Sequence, residues 1–286
     1  MDEIDYSQYF KDGKITVHTL GAKQWGISVN CLIGCKNNCR YCYAERFAGL
    51  RGISPEEWAC PKVKPKILEK QWKSGVEYMF PTAHDLFREF LEPCLQLCKN
   101  ILRNRSTLVI TTKPRLPVIE IFCEELKRYL SQITFRFTIT SHNDDILRYW
   151  EPNAPLYDER VNAVKHAYEH EYKCTLSAEP FLSNPLPYFT ELAPYVSEIW
   201  PGPMNGIPKD ITSDARRDAE TLYRPDHLLR LLKSLEKTPF AKKIHYKDAF
   251  IIRVYNAGLL KKEQALYYLH QKQYPKPVVG LSKFFK

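Results

Sequence analysis

The chain has 286 residues, of which 44% are hydrophobic and 26% are charged. This composition excludes a disordered chain and is sufficient for one large α/β domain or two small ones. Lys and Arg number 42 against 33 Asp and Glu, so the net charge is +9, which favours anionic partners such as nucleic acid. Because no apolar segment is long enough to cross a bilayer and no apolar targeting run follows Met1, we expect a cytoplasmic protein without a membrane partner. The nine cysteines fit that reducing compartment.

Strands and helices are predicted to alternate along most of the chain. The strands are predicted at Trp25–Leu32, Val76–Pro81, Thr107–Thr112, Thr134–Thr140, Lys173–Ala178 and Glu198–Gly202. The helices are predicted at Tyr43–Leu50, Asp85–Arg103, Val118–Leu130, Asp158–Glu171, Pro187–Tyr195, Asp226–Leu235 and Glu263–Gln271. Weaker strand patterns lie at Ile15–Leu20 and Lys243–Lys247. Strands that alternate with helices pair in parallel through right-handed crossovers, so we predict an α/β fold of the partial TIM-barrel type, (βα)6.

One barrel accounts for most of the chain, because no internal repeat or low-complexity segment divides it. We expect the barrel over residues 15–250, a short N-terminal extension over residues 1–14, and a helix with a basic tail over residues 251–286. In such barrels the chemistry gathers at the C-terminal ends of the strands, and polar residues follow the predicted strands in this sequence.

Three cysteines follow the first predicted strand at the spacing C-x3-C-x2-C. Cys35, Cys39 and Cys42 share one short loop, and three soft thiolates on such a loop can bind one face of an iron–sulfur cube. Three ligands for four irons leave one iron open to chelate a small molecule. A structural zinc site usually shows two separated pairs of ligands, and no second pair occurs here at zinc spacing.

This motif, with Tyr41 just before its third Cys, resembles that of the radical S-adenosylmethionine (SAM) superfamily. The wider string Gly34–Arg46 resembles the spore photoproduct lyase-like branch, as do the runs Thr138–Asn143 and Glu151–Arg160. The resemblance implies an enzyme with a [4Fe–4S] cluster held by Cys35, Cys39 and Cys42, with SAM as cofactor. It implies reductive cleavage of SAM to methionine and a 5′-deoxyadenosyl radical, which takes a hydrogen atom from the substrate. The electron would come from a donor such as flavodoxin or ferredoxin.

The same resemblance suggests which residues bind SAM, beginning with Tyr41 in the motif. Thr82, His84 or Asp85 should accept the SAM ammonium, although the Gly-rich segment of the superfamily is absent here; the alternative for Asp85 is a helix N-cap. Lys113, at the end of the third strand, should pair with the SAM carboxylate and lie within about 10 Å of the cysteine loop.

Three more cofactor-binding residues are expected at the ends of the later strands. Ser141 should contact the ribose or carboxylate of SAM. Glu179 should bind ribose hydroxyls or substrate, and its alternative is a salt bridge to Arg148 or Arg160. Gly202 allows the backbone to approach adenine closely.

The substrate is expected to be a nucleic-acid base or nucleotide, because of the branch resemblance and the net charge. Arg115 is a candidate for the substrate phosphate, His142 for a general acid or an ordinary loop histidine, and Asn205 for a further substrate contact. Photoproduct lyases carry a hydrogen-donor Cys at the end of the second strand, and Phe80–Asp85 contains none, so a thymine-dimer lyase is not favoured. The alternatives are a radical SAM enzyme acting on a peptide or small molecule and a non-catalytic iron–sulfur or zinc protein.

Two basic segments could contact the nucleic acid. The connection over residues 53–75 carries Pro61–Lys66 between Trp58 and Trp72, and the tail from Tyr274 mixes lysines with aromatic residues. Cations interleaved with aromatic rings suit a phosphate backbone with exposed bases, whereas the alternative is a solvated loop and tail.

Replacing Cys35, Cys39 or Cys42 by Ala is expected to abolish the cluster and SAM cleavage together, measured as bound iron and as 5′-deoxyadenosine formed. Cys31→Ala is the control, because Cys31 is expected in the core with Cys94, Cys98, Cys123 and Cys174, while Cys60 is expected to be exposed. Loss of iron in Cys31→Ala with iron retained in Cys42→Ala would contradict the ligand assignment.

Overall fold

A computed structural model describes residues 10–15 and 26–270 of the chain. Its strands are β1 (Phe10–Lys11), β2 (Lys14–Ile15), β3 (Ile27–Ser28), β4 (Leu32–Ile33), β5 (Lys62–Val63), β6 (Glu77–Phe80), β7 (Thr107–Thr112), β8 (Ile133–Thr138), β9 (Lys173–Ala178) and β10 (Glu198–Pro201). Its α-helices are α1 (Tyr43–Gly49), α2 (Pro55–Trp58), α3 (Pro65–Leu68), α4 (Leu91–Arg103), α5 (Leu116–Leu126), α6 (Asp144–Trp150), α7 (Tyr157–Glu169), α8 (Leu186–Leu192), α9 (Ser213–Leu222), α10 (Pro225–Leu235), α11 (Asp248–Asn256) and α12 (Lys262–His270). No helix in these residues is long and apolar enough to span a membrane.

The central sheet has six parallel strands in the order β3-β6-β7-β8-β9-β10, which is also their order along the chain. Each strand is joined to the next through a connection that contains at least one helix. This topology confirms the predicted α/β partial barrel. It leaves β3 and β10 as the outermost strands of the sheet, and the segment over residues 244–247 runs along the outer side of β10, where His245 and Lys247 donate their N–H groups to Ile199 and Pro201.

The two faces of the sheet differ in polarity, and this difference separates the core from the site. Phe135, Phe137 and Leu176 are fully buried in the hydrophobic core. Side chains alternate between the two faces along a strand, so Arg136, between Phe135 and Phe137, and Thr175, next to Leu176, lie on the other face. Both are polar, and they lie side by side in the strand register. Helix α4 packs on the core through Cys94, Leu97, Cys98 and Ile101, which recur at the spacing of one helix face.

The cysteines outside the motif lie as predicted. Cys31, Cys94, Cys98, Cys123 and Cys174 are buried, and Cys60 is exposed. The division of the chain at residue 250 stays a prediction, and that residue falls within α11.

Several predicted bounds were wrong. The first barrel strand is only Ile27–Ser28, because Leu32–Ile33 pairs antiparallel with Lys62–Val63 in a separate sheet. The helix predicted from Asp85 begins at Leu91, after a 3-10 turn, because the buried Asp85 carboxylate binds groups from other segments. The strand predicted at Lys243–Lys247 is a single bridge between Ile199 and Ile244.

Some helices were not predicted, and some predictions lie outside the described residues. Helices α2, α3 and α6 are too short, and α9 carries too few apolar residues at helical spacing, to have been recognised. Helix α11 was also missed, although it buries Phe250, Ile251, Ile252 and Val254. The strand predicted at Ile15–Leu20, apart from Ile15, and the tail from Tyr274 lie outside the residues that the structure describes.

Candidate functional site

The cysteine loop is fixed where it begins and where it ends. Gly34 has a φ of +100°, and a Cβ there would lie 2.5 Å from the carbonyl oxygen of Trp58, so a larger residue would not fit. The next residue, Cys35, donates its backbone N–H to that same oxygen at 2.8 Å. At the other end the Cys42 thiol caps α1 by accepting the N–H of Glu45 at 3.4 Å.

Asn37 anchors the middle of the loop through its buried side chain. Its amide nitrogen donates to Asp85 Oδ2 at 2.5 Å, and its amide oxygen accepts from the guanidinium of Arg115 at 2.6 Å. Asp85 also accepts the N–H of Leu86 at 2.8 Å, the N–H of Lys113 at 3.2 Å and the hydroxyl of Thr112. The Asp85 carboxylate therefore ties the loop to the ends of β6 and β7.

The last residues of α6 and the segment that follows it hold the other side of the loop. The backbone and side chain of Arg40 donate to the carbonyls of Trp150 and Tyr149 at 3.0 and 2.7 Å. Asn153 donates its amide nitrogen to the Lys36 carbonyl at 2.9 Å and its N–H to the Asn37 carbonyl at 3.3 Å. Four hydrogen bonds thus join two segments that are more than 100 residues apart in sequence.

Glu151 lies at the centre of this contact and is almost completely buried. Its carboxylate accepts from the Tyr41 hydroxyl, from Thr140 Oγ1 at 2.9 Å and from the Arg160 guanidinium at 2.5 Å. Burial alone would raise the pKa of Glu151, but the positive charges of Arg160 and Lys113 outweigh it and hold that pKa below its usual value. Glu151 is therefore ionised at neutral pH.

Lys113 extends from the end of β7 toward the loop. Its Nζ lies 3.8 Å from Glu151 Oε1 and 5.6 Å from the centre of the Tyr41 ring. Burial alone would lower the pKa of Lys113, but the negative charge that Cys39 carries as a thiolate and the carboxylates of Glu151 and Asp85 raise it above its usual value. Lys113 therefore lies within about 10 Å of the cysteine loop, as predicted. Its pairing with a SAM carboxylate stays a prediction.

The three thiols suit an iron–sulfur cluster. Cys35, Cys39 and Cys42 are free, and burial raises the pKa of each, that of Cys35 to about 12. Among residues 10–15 and 26–270, no three His, Cys, Asp or Glu side chains converge tightly enough to hold a single metal ion. A cluster takes one thiolate per iron, so its ligands need not meet at one point, and three free thiols on one pinned loop fit it.

Thr82, His84 and Ser141 lie close to this region, but their polar atoms already have partners within the chain. Thr82 Oγ1 accepts from the Asn30 amide at 2.8 Å. His84 is buried, with Nδ1 at 2.9 Å from the Asp85 carbonyl. Ser141 Oγ lies 2.8 Å from Ser183 Oγ. The alternative reading of Asp85 as a helix N-cap was wrong, because no helix begins there. The contacts of Thr82, His84, Asp85 and Ser141 with SAM stay predictions.

Glu179 and Gly202 lie together at the ends of β9 and β10. Glu179 pairs with Lys247 at 2.9 Å, so the proposed salt bridge to Arg148 or Arg160 was wrong: Arg148 pairs with Asp145, and Arg160 with Glu151. A Cβ at Gly202 would lie 3.0 Å from the Cγ atoms of Glu179 and Lys247, so this glycine leaves room for the pair.

The three predicted substrate residues lie apart from one another. Arg115 donates to the side chain of Asn37 in the loop, His142 lies among the rings of Tyr157 and Tyr188, and Asn205 is exposed after β10. Sequence reasoning missed the anchoring roles of Asn37, Glu151 and Asn153. The one signal in the sequence is that Glu151 and Arg160 fall in the run that resembles the spore photoproduct lyase-like branch.

Replacing Glu151 by Ala is expected to lower the free energy of unfolding of the apoprotein by about 3–5 kcal/mol, because Arg160 would be left buried without its partner. Urea unfolding measures the change. Glu89→Ala is the matched control, because it removes an exposed carboxylate paired with Lys36 and should cost about 1 kcal/mol or less. The double change Glu151→Leu with Arg160→Met should recover much of the loss. Equal losses for Glu151→Ala and Glu89→Ala would contradict this account.

Comparisons with known proteins agree with the motif and the fold. A family model for the radical SAM superfamily matches residues 29–178, just over half of the chain. An uncharacterized protein of Methanocaldococcus jannaschii is 27% identical over 161 residues, which cover 54% of this chain and 60% of that protein. The chain thus spans less than two thirds of the length of this relative.

Two solved structures show a distant likeness. Spore photoproduct lyase complexed with dinucleoside spore photoproduct is 19% identical, with a TM-score of 0.44 over 68% of this chain and 60% of that chain. SuiB of Streptococcus suis bound to S-adenosylmethionine is 15% identical, with a TM-score of 0.37 over 71% of this chain and 44% of that chain. Nothing about the substrate of this protein follows from either. The C-x3-C-x2-C loop at the head of a six-stranded parallel sheet and the match over residues 29–178 lead to one conclusion: the chain belongs to the radical SAM superfamily.

Proposed function

We propose that Cys35, Cys39 and Cys42 hold a [4Fe–4S] cluster and that this radical SAM enzyme acts on a nucleic-acid base or nucleotide. The observation that carries the proposal for the cofactors is the meeting of the cysteine loop with Lys113 from β7, both held by Glu151. When bound, the cluster supplies one electron that cleaves SAM to methionine and a 5′-deoxyadenosyl radical, which takes a hydrogen atom from the substrate.

The residues of the chain bind and orient in this mechanism. Lys113 is held charged beside the loop, where its ammonium can bind the carboxylate of SAM. Glu151 keeps Lys113 and Tyr41 in fixed positions, and the buried Trp150 packs near the Tyr41 ring and limits access of water from that side. Preorganised groups of this kind favour the reaction because they need not move as it proceeds.

The net charge of +9 and the resemblance to the spore photoproduct lyase-like branch support a nucleic-acid substrate. The segment after β6 carries His84 and Asp85 but no Cys, so a reaction other than thymine-dimer cleavage is favoured. A cavity of about 660 Å³ beside the loop is lined by Lys36, Arg88 and Arg115, and also by Glu89, which pairs with Lys36. The excess of cations over carboxylates in this lining supports a phosphate contact there. A peptide or small-molecule substrate is the second candidate.

The prediction that Trp58 and Trp72 help to bind nucleic acid was wrong. Trp58 and Trp72 are buried, Trp58 against Ala44 and Ala48 and Trp72 against Tyr78, so neither can stack on a base. The basic tail lies outside the described residues.

We further propose a cytoplasmic location and an electron donor such as flavodoxin or ferredoxin, since an oxygen-sensitive cluster needs a reducing compartment.

Replacing Lys113 by Ala is expected to weaken SAM binding about 10- to 100-fold without removing iron, because one charge-assisted hydrogen bond is lost. Equilibrium binding of SAM and the iron content of the reconstituted protein give the two readouts. Lys99→Ala is the control, because Lys99 pairs with Glu125 on the outer helices and should leave both readouts unchanged. Unchanged SAM binding in Lys113→Ala would refute the assignment.

The substrate class is tested after anaerobic reconstitution, by the 5′-deoxyadenosine and methionine formed with and without DNA, RNA or nucleotides. An enzyme acting on nucleic acid should bind oligonucleotides and lose affinity steeply as salt rises, because phosphate contacts release counterions. Absence of binding at low salt would favour the peptide or small-molecule substrate, whereas absence of SAM cleavage under all conditions would favour the non-catalytic metal protein.

A further inference from the structure

Helix α1 exposes a row of large apolar side chains beside the site. Tyr43, Phe47 and Leu50 recur at the spacing of one helix face and are 58, 59 and 83% exposed. The adjoining face of the helix is buried through Ala44 and Ala48. Since the helix is already packed on one side, this exposed row is not needed for folding, and such patches commonly mark binding surfaces.

The row lies beside the segments that follow β6 and β10. Helix α1 begins directly after the ligand candidate Cys42, and the Tyr43 hydroxyl donates to the Thr82 carbonyl at the end of β6. At the other side, a Cβ at Gly206, in the segment after β10, would lie 3.6 Å from the guanidinium of Arg46. The helix therefore lies between the segment after β6 and the segment after β10, at the end of the sheet where the cysteine loop lies.

Cations accompany the aromatic rings. Arg46 projects from the same side of α1 as Tyr43 and Phe47, by the 3.6-residue period, and Arg51 follows the helix. Glu45 is the carboxylate on this helix, and it is half-buried. Aromatic faces with adjacent guanidinium groups suit a strand of bases and phosphates better than they suit an apolar protein surface.

We propose that the Tyr43–Phe47–Leu50 face of α1 binds single-stranded nucleic acid, with bases that flank the reacting nucleotide stacked on it. This inference rests on the proposed function and specifies its substrate as an unpaired strand. The reacting nucleotide would lie toward the cysteine loop, which α1 follows directly, while the neighbouring bases remain outside against α1. Arg46 and Arg51 contact the phosphates.

The test is fluorescence anisotropy of labelled single-stranded DNA and RNA with the reconstituted full chain. Phe47→Ala is expected to weaken binding about 5- to 150-fold, the range for loss of one stacked base, and Phe47→Trp should retain it. The matched control is Tyr168→Ala, which removes an aromatic ring of comparable exposure from α7, on the outside of the sheet, and should bind as the parent protein does.

Three further readouts separate this inference from its rivals. Iron content and SAM cleavage without oligonucleotide should be the same in Phe47→Ala and in the parent protein, because Phe47 is not a ligand; failure of SAM cleavage in the parent would instead defeat the proposed function. Equal oligonucleotide affinities for Phe47→Ala and Tyr168→Ala would overturn the inference. So would a dimer of the parent protein that Phe47→Ala dissociates in light scattering, because the face would then bind a second copy of the chain.

Discussion

The buried carboxylate of Glu151 is the interaction on which the candidate site depends. An ionised carboxylate away from water is unfavourable unless it is paired and hydrogen-bonded, and Glu151 receives Arg160, Thr140, Tyr41 and Lys113. These partners come from the cysteine loop, from β7, from the end of β8 and from α7. A single charge thus fixes the relative positions of four segments, and moving any one of them would leave a buried group without its partner.

A loop of eight residues with no regular structure cannot hold three thiols in place by itself. The order of residues 35–42 comes from outside, through Asp85 on one side and the segment over residues 149–153 on the other. These contacts join residues 48 to 117 positions apart, so the order of the loop depends on tertiary contacts that reach past the end of α6. A change in α6 or α7 can therefore displace the cysteine loop without replacing a cysteine.

The sequence predicted what depends on local pattern. Strands β7 and β9 have the predicted bounds, because Thr107–Thr112 and Lys173–Ala178 are short β-rich runs between polar turns. The cysteine spacing likewise identified the loop. What failed depends on distant partners: the late start of α4 follows from the burial of Asp85, and the burial of Trp58 follows from the packing of α1 on α2. No periodicity in the sequence identifies Glu151 as the hub, since its four partners are spread over 120 residues.

The exposed face of α1 is related to the size of the substrate. A closed eight-stranded barrel fills its interior with side chains and offers a substrate only its end. In this six-stranded sheet α1 lies between the segments that follow β6 and β10, with aromatic rings toward solvent. A small substrate bound at the cysteine loop would not need Phe47 or Leu50. A polymer must continue away from the loop on both sides of the reacting unit, so it can gain binding energy from the rings and guanidinium groups of α1. Bases stacked on α1 would cover its apolar side chains, which explains why these side chains face solvent next to the cysteine loop in the free protein.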